Sequence, residues 1–163
     1  MDKRLPIVDI SALVINNQET LEFTKSAESL YKELSKVGFA IIVGHQVAAE
    51  TISNMRKAVA KVFDTPREIL LNDTVAKGNY RGFVPLGFFT PNSGKGNADQ
   101  YEAWKLHNET DPDDQICRDC NLYGPNKWPD IADDIKTPVM NYWRELTRVS
   151  EYLINALCKI MGI

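Results

Sequence analysis

The segment from Gly78 to Phe83 brings together three side chains that can hold a small ligand. Arg81 carries a planar guanidinium, which can pair with a carboxylate through two parallel hydrogen bonds. Tyr80 offers a ring and a hydroxyl, and Phe83 offers a second ring. The alternative is that Tyr80 and Phe83 only cover the scaffold and that Arg81 is solvated. Weaker candidates of the same kind follow farther along the chain, at Tyr101, Glu102 and Lys105.

Cys117 and Cys120 have the spacing found in half of a zinc site or in a redox pair. A zinc site needs a second pair of ligands, and Cys158, inside a predicted helix, does not supply one. A redox motif of the thioredoxin type lies in a strand–helix–strand unit, whereas this pair lies in a segment expected to be loop. We interpret both as incidental loop cysteines and keep a small zinc protein as an alternative.

The run from Ser93 to Gly96 resembles part of a phosphate-binding loop. The first glycine that such a loop requires is replaced by Phe89, and Gly96 stands where a serine or threonine would bind magnesium. We therefore interpret this run as a flexible loop that carries one lysine.

The composition is that of an ordinary globular protein. The chain has 163 residues, of which 44% are hydrophobic and 25% are charged, so we expect residues 1–163 to fold as one domain. The net charge of -3 and the lack of a basic patch argue against nucleic acid as a partner. We see no signal peptide and no apolar run near the ~20 residues of a membrane span, so we expect no membrane partner and a cytoplasmic location.

The apolar patterns of the sequence indicate short strands and amphipathic helices, which predict an α+β fold. These elements must position the candidate side chains. A strand is expected at residues 7–10, followed by a helix that begins near residue 18, with Thr20 among its capping residues, and ends at the left-handed Gly38. The β-branched run from Ile41 to Val43 predicts a strand buried on both faces. The apolar stripe predicted for this first helix consists of Ala27, Leu30, Tyr31, Leu34 and Val37.

The rest of the chain predicts a second helix, two further strands and a long final helix. The second helix covers about residues 48–63, the strands fall near 80–84 and 101–106, and residues 107–129 are expected to be surface loop. The final helix covers about residues 137–162 and is ~37 Å long at ~1.5 Å per residue. The preceding short strands cannot cover that length, so we expect something else to pack on it.

Five short motifs follow one another in an order typical of one enzyme family. They are Leu5–Ser11, Gly38–His45, Val62–Pro66, Gly124–Pro129 and the helix that leads to Ile163. Together they resemble the N-terminal region of the isopenicillin N synthase-like iron(II)/2-oxoglutarate-dependent dioxygenases. The sequence departs from the family pattern at Ala40, where an aromatic residue is usual, and at Gln46, where glycine is common.

The resemblance implies a full-length enzyme whose second half is a double-stranded β-helix, or jelly-roll. In such an enzyme a His-x-Asp…His triad binds iron(II) and an Arg-x-Ser element binds 2-oxoglutarate, and the reaction hydroxylates, desaturates or cyclises a small organic molecule. This chain has no His-x-Asp sequence, and its one Arg-x-Ser sequence, Arg148-Val149-Ser150, lies in the predicted final helix and does not follow a metal triad. We therefore expect it to contain no catalytic residue, no metal ligand and no bound cofactor, and to be inactive alone. Its expected partners are the small-molecule substrate and the C-terminal β-helix half, against which the final helix packs.

The two histidines, His45 and His107, do not match the ligand order that the resemblance implies. His107-Asn108-Glu109 superficially echoes a histidine–carboxylate pair, but no histidine follows it. His45 lies in a stretch that resembles a structural turn of the family. We expect neither histidine to bind a metal ion.

A Gly-Tyr element of the resembled family runs along the mouth of the active site at the position of Gly78–Phe83. The resemblance therefore implies four candidate substrate contacts, which are Tyr80, Arg81, Phe83 and Tyr101. Trp128, in an Asn-x-Trp-Pro element, is expected to be structural packing. The alternative function is a non-catalytic binding module derived from the same fold, which grips a partner through the Tyr80–Phe83 segment and the long helix.

Overall fold

The computed structural model describes residues 4–15, 17–76, 78–90, 98–120, 122–130 and 135–163. It confirms the α+β class, with short strands and a long C-terminal helix. The strands are β1 Ile7–Asp9, β2 Ile41–Val43, β3 Gly82–Val84 and β4 Ala103–Lys105. The helices are α1 Ser11–Ile15, α2 Leu21–Val37, α3 Ala49–Phe63, α4 Arg67–Leu70, α5 Gln115–Asp119 and α6 Lys136–Met161, with a 3-10 turn at Leu71–Asp73.

The chain divides into two compact units. The first comprises Met1–Met55 and Pro138–Ile163, and the second comprises Arg56–Thr137. The predicted substrate contacts and the two cysteines of the Cys-x-x-Cys pair lie in the second unit.

A parallel pair of strands opens the first unit, with Ile7 opposite Ile41 and Asp9 opposite Val43. The Asp9 carboxylate accepts hydrogen bonds from the hydroxyl of Ser11 at 2.6 Å and from its backbone N–H at 2.9 Å. These bonds favour the charged carboxylate and lower the pKa of Asp9 below its ordinary value. Gly44, directly after β2, has φ +75°, and a Cβ built there would lie 2.2 Å from the Ser11 hydroxyl oxygen. Both the backbone conformation and the lack of space favour glycine at this position.

Helix α2 begins and ends at the predicted signals. The Thr20 hydroxyl accepts from the N–H of Phe23 at 3.2 Å, and Gly38 ends the helix with φ 83° and donates to the Leu34 carbonyl at 2.8 Å. The predicted apolar stripe was partly wrong, since Tyr31 and Val37 are exposed. The helix is rotated so that Phe23, Ala27 and Leu30 face the core, at four- and three-residue steps.

Strand β2 is not buried on both faces, contrary to the prediction. Ile41 and Val43 remain 47% and 41% exposed, and Ile42 is half-buried. Within the described residues β2 pairs with β1 alone, and the elements packed on this pair leave Ile41 and Val43 partly uncovered. An apolar strand that stays open in this way is a surface suited to further packing.

The turn after β2 uses the side chain of His45 for backbone support. Its Nδ1 accepts a hydrogen bond from the N–H of Val47 at 3.0 Å. Between them Gln46 has φ 58°, a left-handed conformation that glycine adopts at lower cost. The backbone conformation at Gln46 therefore favours glycine, the residue that the resembled family commonly has at this position.

Helix α6 confirms the predicted long final helix and has 26 residues, or ~39 Å at ~1.5 Å per residue. Val149 and Ala156 are buried in the core of the first unit, whereas Leu146 and Ile154 stay exposed. One apolar face of the helix is thus packed and another is open. No helix in the described ranges combines the length and apolar character that crossing a bilayer requires.

Candidate functional site

Strand β3 is the centre of the candidate site in the second unit. It pairs antiparallel with β4, with Gly82 opposite Lys105 and Phe83 opposite Trp104. On its other side, the N–H of Val75 donates to the Phe83 carbonyl at 2.9 Å. The strand begins at Gly82, whose φ of +108° is a conformation that side-chain-bearing residues rarely adopt.

The predicted substrate contacts separate onto two sets of neighbours. Phe83 is fully buried and packs on Trp104, with ring centroids 6.4 Å apart. Tyr80 is half-buried and instead contacts the side chain of Lys105. Tyr80 lies two residues before β3 begins, so the regular alternation of side chains along that strand does not determine its position relative to Phe83.

Arg81 is a buried cation that lacks most of its hydrogen-bond partners. Only 1% of the residue is exposed, which contradicts the alternative that it is solvated. Its Nη2 donates to the Leu122 carbonyl at 2.6 Å. No acceptor in the described ranges reaches Nε or Nη1, although both atoms are buried. Burying a guanidinium without a counter-charge is costly.

Lys105 holds its ammonium against an aromatic cluster formed by Tyr80, Phe88 and Phe89. Its Nζ lies 3.6 Å from the centroid of the Tyr80 ring and 5.5 Å from that of Phe89. The rings of Tyr80 and Phe89 meet edge to face at 6.0 Å, and those of Phe88 and Phe89 do so at 4.9 Å. The contact between a cation and a ring face fixes the position of the ammonium.

Tyr101 is exposed just before strand β4, and the described contacts do not join it to Tyr80. The next residue, Glu102, forms a partly exposed ion pair with Arg67 at 2.7 Å. The carboxylate of Glu102 is therefore already paired with a side chain of the same unit. The structure brings together Tyr80 and Lys105, and it leaves Tyr101 as a separate exposed ring.

Asn126 is a buried residue whose role the sequence did not reveal. Its Oδ1 accepts from the N–H of His107 at 2.9 Å, and its Nδ2 donates to the His107 carbonyl at 2.8 Å and to Glu109 Oε2 at 2.6 Å. The amide thus fastens the segment after β4 to the Asn-x-Trp-Pro element. The Asn-x-Trp-Pro element contains this asparagine, so a signal for its role lies in the sequence.

Lys127 and Trp104 extend this polar framework. The indole N–H of Trp104 donates to the Lys127 carbonyl at 3.0 Å, and Lys127 Nζ donates to the Thr74 carbonyl at 3.2 Å. Trp128 lies next to them, with the Lys136 ammonium 5.8 Å from the centroid of its ring. These bonds hold β4 and the turn before β3 in fixed positions.

The histidines present do not fit an iron centre. Nδ1 of His45 already accepts a backbone hydrogen bond. His107 Nε2 is buried without a hydrogen-bond partner, and the Oε2 of the nearby Glu109 accepts from Asn126, but no further ligand joins these two among the described residues. In the described part of the chain, no three histidine, cysteine, aspartate or glutamate residues form a group that could hold a metal ion.

The segment that carries the cysteine pair is not simply loop, as predicted, but includes helix α5. Asp114 caps this helix by accepting from the N–H of Ile116 at 3.0 Å, a signal that the sequence analysis missed. Cys117 and Cys120 are half-buried free thiols, and Cys117 Sγ lies 3.2 Å from the Asp111 carbonyl.

The phosphate-loop-like run 93–96 lies outside the described residues.

Comparison with known proteins gives one consistent picture. A family model described as the N-terminal region of the non-haem dioxygenase in morphine synthesis matches residues 5–131. A 2-oxoglutarate-dependent dioxygenase of Talaromyces stipitatus is 30% identical over 166 residues, covering 99% of this chain and 49% of the relative. Validamycin A dioxygenase of Streptomyces hygroscopicus subsp. limoneus is 28% identical, covering 100% and 45%.

Solved structures share the fold of this chain. A full-length protein of Neurospora crassa, solved in complex with alpha-KG, superposes with a TM-score of 0.75 at 20% identity, covering 98% of this chain and 47% of that one. A protein of Caulobacter crescentus described as a 2OG-Fe(II) oxygenase family member gives 0.77 at 20% identity, covering 98% and 49%. The chain spans about half the length of the curated relatives it matches.

Proposed function

This chain belongs to the family of non-haem dioxygenase N-terminal regions, and we propose that it forms the N-terminal part of an iron(II)- and 2-oxoglutarate-dependent dioxygenase. The family match over residues 5–131 carries the proposal. The reaction hydroxylates, desaturates or cyclises a small organic molecule in the cytoplasm. Relatives named for validamycin A and homoarginine support a small organic molecule as the substrate class.

The binding of iron(II) and 2-oxoglutarate belongs, in this proposal, to polypeptide outside these 163 residues. Two observations support that division. The chain spans about half of its relatives, and its described residues contain no group of three ligands suited to a metal ion. An iron site of this class requires two histidines and a carboxylate with adjacent open positions.

The open apolar surfaces of the first unit support the same division. Ile41 and Val43 of strand β2 are exposed, as are Leu146 and Ile154 of helix α6. Covering apolar surface stabilises a protein by ~25 cal/mol per Å². We propose that a double-stranded β-helix half packs on helix α6 and on strand β2.

Metal and cosubstrate binding distinguishes this function from a non-catalytic module. We expect calorimetry with manganese(II), as an oxygen-stable substitute for iron(II), and 2-oxoglutarate to show no saturable binding to this chain. The polypeptide encoded by the reading frame continued past Ile163 is expected to bind both in the micromolar range. Micromolar binding to this chain alone, or a stop codon directly after Ile163, would contradict the proposal.

Tyr80 and Tyr101 are the direct substrate contacts in this proposal, because both rings are at least partly exposed. Phe83 receives a supporting role, since its ring is fully buried against Trp104. We propose that Arg81 pairs with a carboxylate from outside this chain, either of the substrate or of the remaining polypeptide; because only 1% of the residue is exposed, this pairing requires the residues that cover the guanidinium to move. Its unpartnered Nε and Nη1 support that pairing.

Substitution of Arg81 by methionine tests this pairing in two proteins. In this chain, we expect Arg81→Met to leave the free energy of unfolding unchanged or raised, because it removes a buried charge without a counter-ion. In the longer polypeptide, the same change is expected to cost about 3 kcal/mol if that polypeptide supplies the carboxylate, which is then left unpaired. Urea unfolding of both proteins gives the two values.

Arg67→Met is the matched control, since its ion pair with Glu102 is partly exposed and is expected to be worth at most about 1 kcal/mol in either protein. If Arg81 only holds the Leu122 carbonyl, Arg81→Met should destabilise this chain by about 1.5–3 kcal/mol, the worth of a hydrogen bond to a charged group. A loss of equal size in both proteins would argue against a carboxylate from the remaining polypeptide. A loss absent from both proteins would exclude that carboxylate as well.

A further inference from the structure

Lys105, at the end of strand β4, carries a cation that the described residues fix in place but do not neutralise. We propose that its ammonium binds the carboxylate of a planar organic substrate, whose body lies along the aromatic cluster of Tyr80, Phe88 and Phe89. This substrate class rests on the proposed function, because it concerns the same site.

The ring contact leaves hydrogen-bond donors of Lys105 unused. An ammonium has three N–H donors and no acceptor, and the Tyr80 ring face, 3.6 Å from Nζ, can occupy only the side of the ammonium that faces it. In the described ranges Lys105 has no ion pair and no hydrogen-bonded acceptor for Nζ. The residue is half-buried, so water screens its charge only in part. An anion placed beyond the ring would therefore gain both charge pairing and hydrogen bonds.

Two other charged residues near β3 and β4, Glu102 and Lys127, already have partners. Glu102, three residues earlier, is paired with Arg67 at 2.7 Å. Lys127 Nζ donates to the Thr74 carbonyl at 3.2 Å. Lys105 thus remains the charged group of this cluster without a polar partner among the described residues.

The three rings define the kind of molecule that fits beside this cation. Tyr80 and Phe89 meet edge to face at 6.0 Å, and Phe88 and Phe89 do so at 4.9 Å, which makes one continuous aromatic surface. Phe88 is 42% exposed, so part of this surface is open. Flat unsaturated molecules pack well on such rings. A cationic ligand is disfavoured, because the ammonium of Lys105 already occupies the Tyr80 face and would repel it.

Titration with benzoate, a planar carboxylate, tests this site in the chain as it exists. We expect saturable changes in the NMR signals of the Lys105 side chain and the Tyr80 ring, and no such changes with benzamide, its neutral analogue. Lys105→Gln is expected to weaken benzoate binding by about tenfold, the effect of losing one charge-assisted contact. Lys105→Arg, which keeps the cation, is expected to retain most of it.

Lys57→Gln serves as the matched control, because it removes one charge from an exposed position of helix α3 in the same unit. Its benzoate affinity should equal that of the unmodified chain. A circular dichroism spectrum and a urea midpoint for each variant show that a loss of binding is not a loss of fold. Equal responses to benzoate and benzamide, unaltered binding by Lys105→Gln, or no saturable benzoate response would each overturn the assignment.

Binding measurements on the longer polypeptide distinguish a failure of this assignment from a failure of the proposed function. Binding of manganese(II) and 2-oxoglutarate there reports on the proposed function and does not depend on Lys105. Benzoate binding to this chain but not to the longer polypeptide would mean that the remaining polypeptide supplies the carboxylate to Lys105, which would overturn the substrate assignment alone. Benzoate binding to both, weakened in both by Lys105→Gln, is the expected result.

Discussion

Gly82→Ala is expected to lower the free energy of unfolding by about 3 kcal/mol or more. The glycine has φ +108°, and a Cβ built there would lie 2.1 Å from the Asp73 carbonyl oxygen and 3.1 Å from Lys127 Cδ. The first neighbour is backbone, so the alanine cannot be accommodated by a rotamer change alone. Either β3 or the 3-10 turn before it must move. Urea unfolding followed by circular dichroism measures the loss.

Alanine substitutions at two other glycines of the same unit distinguish the cost of the backbone conformation from the cost of the close contact. Gly87 also has a positive φ, +77°, but its nearest neighbour would be Ala98 Cβ at 3.5 Å, an ordinary contact. Gly87→Ala is therefore expected to cost about 1–2 kcal/mol, from the backbone conformation alone. Gly78 has open space around it, and Gly78→Ala should change stability by at most about 0.5 kcal/mol. Equal losses at Gly82 and Gly87 would show that the close approach to Asp73 is unimportant.

The consequence of Gly82→Ala for the site follows from the pairing of Gly82 with Lys105. A displaced β3 would move Tyr80 relative to the Lys105 ammonium, which now lies 3.6 Å from its ring centroid. We expect benzoate binding to fall in this variant even at temperatures where it is still folded. A variant that remains folded and keeps benzoate binding would show that the site does not depend on the path of β3.

The elements that the sequence predicted well are those defined by local signals. Thr20 caps helix α2 and Gly38 ends it, because each acts on backbone groups within one turn of its own position. The length of helix α6 follows from its apolar periodicity and needed no knowledge of what packs on it. The order of the short motifs also indicated the family, which the family match then confirmed.

The predictions that failed depend on contacts between distant parts of the chain. Arg81 is buried, and its one described acceptor is the carbonyl of Leu122, 41 positions later. The separation of Tyr80 from Phe83 depends on which neighbours β3 acquires in space. The exposure of Ile41 and Val43 depends on which elements pack over the faces of β2 in space. No window of local sequence contains this information.

Asn126→Leu is expected to lower the free energy of unfolding by about 3 kcal/mol. Leucine has a similar volume but leaves the N–H and carbonyl of His107, and one oxygen of Glu109, without the partners that the amide now provides at 2.6–2.9 Å. Each polar group left unpaired in a buried position costs about 1–3 kcal/mol, although Glu109 is exposed and can turn to water. Denaturant unfolding of the variant measures this loss.

Asn108→Leu is the control for Asn126→Leu, because it makes the same change one residue after His107 at an exposed position. Its expected effect is at most about 0.5 kcal/mol. The Trp104 indole signal adds a second measurement, since its N–H donates to the carbonyl of Lys127, the residue that follows Asn126. We expect this signal to shift in Asn126→Leu and not in Asn108→Leu. If both variants were equally stable and the indole signal unmoved, Asn126 would not be the residue that fastens β4 to the Asn-x-Trp-Pro element.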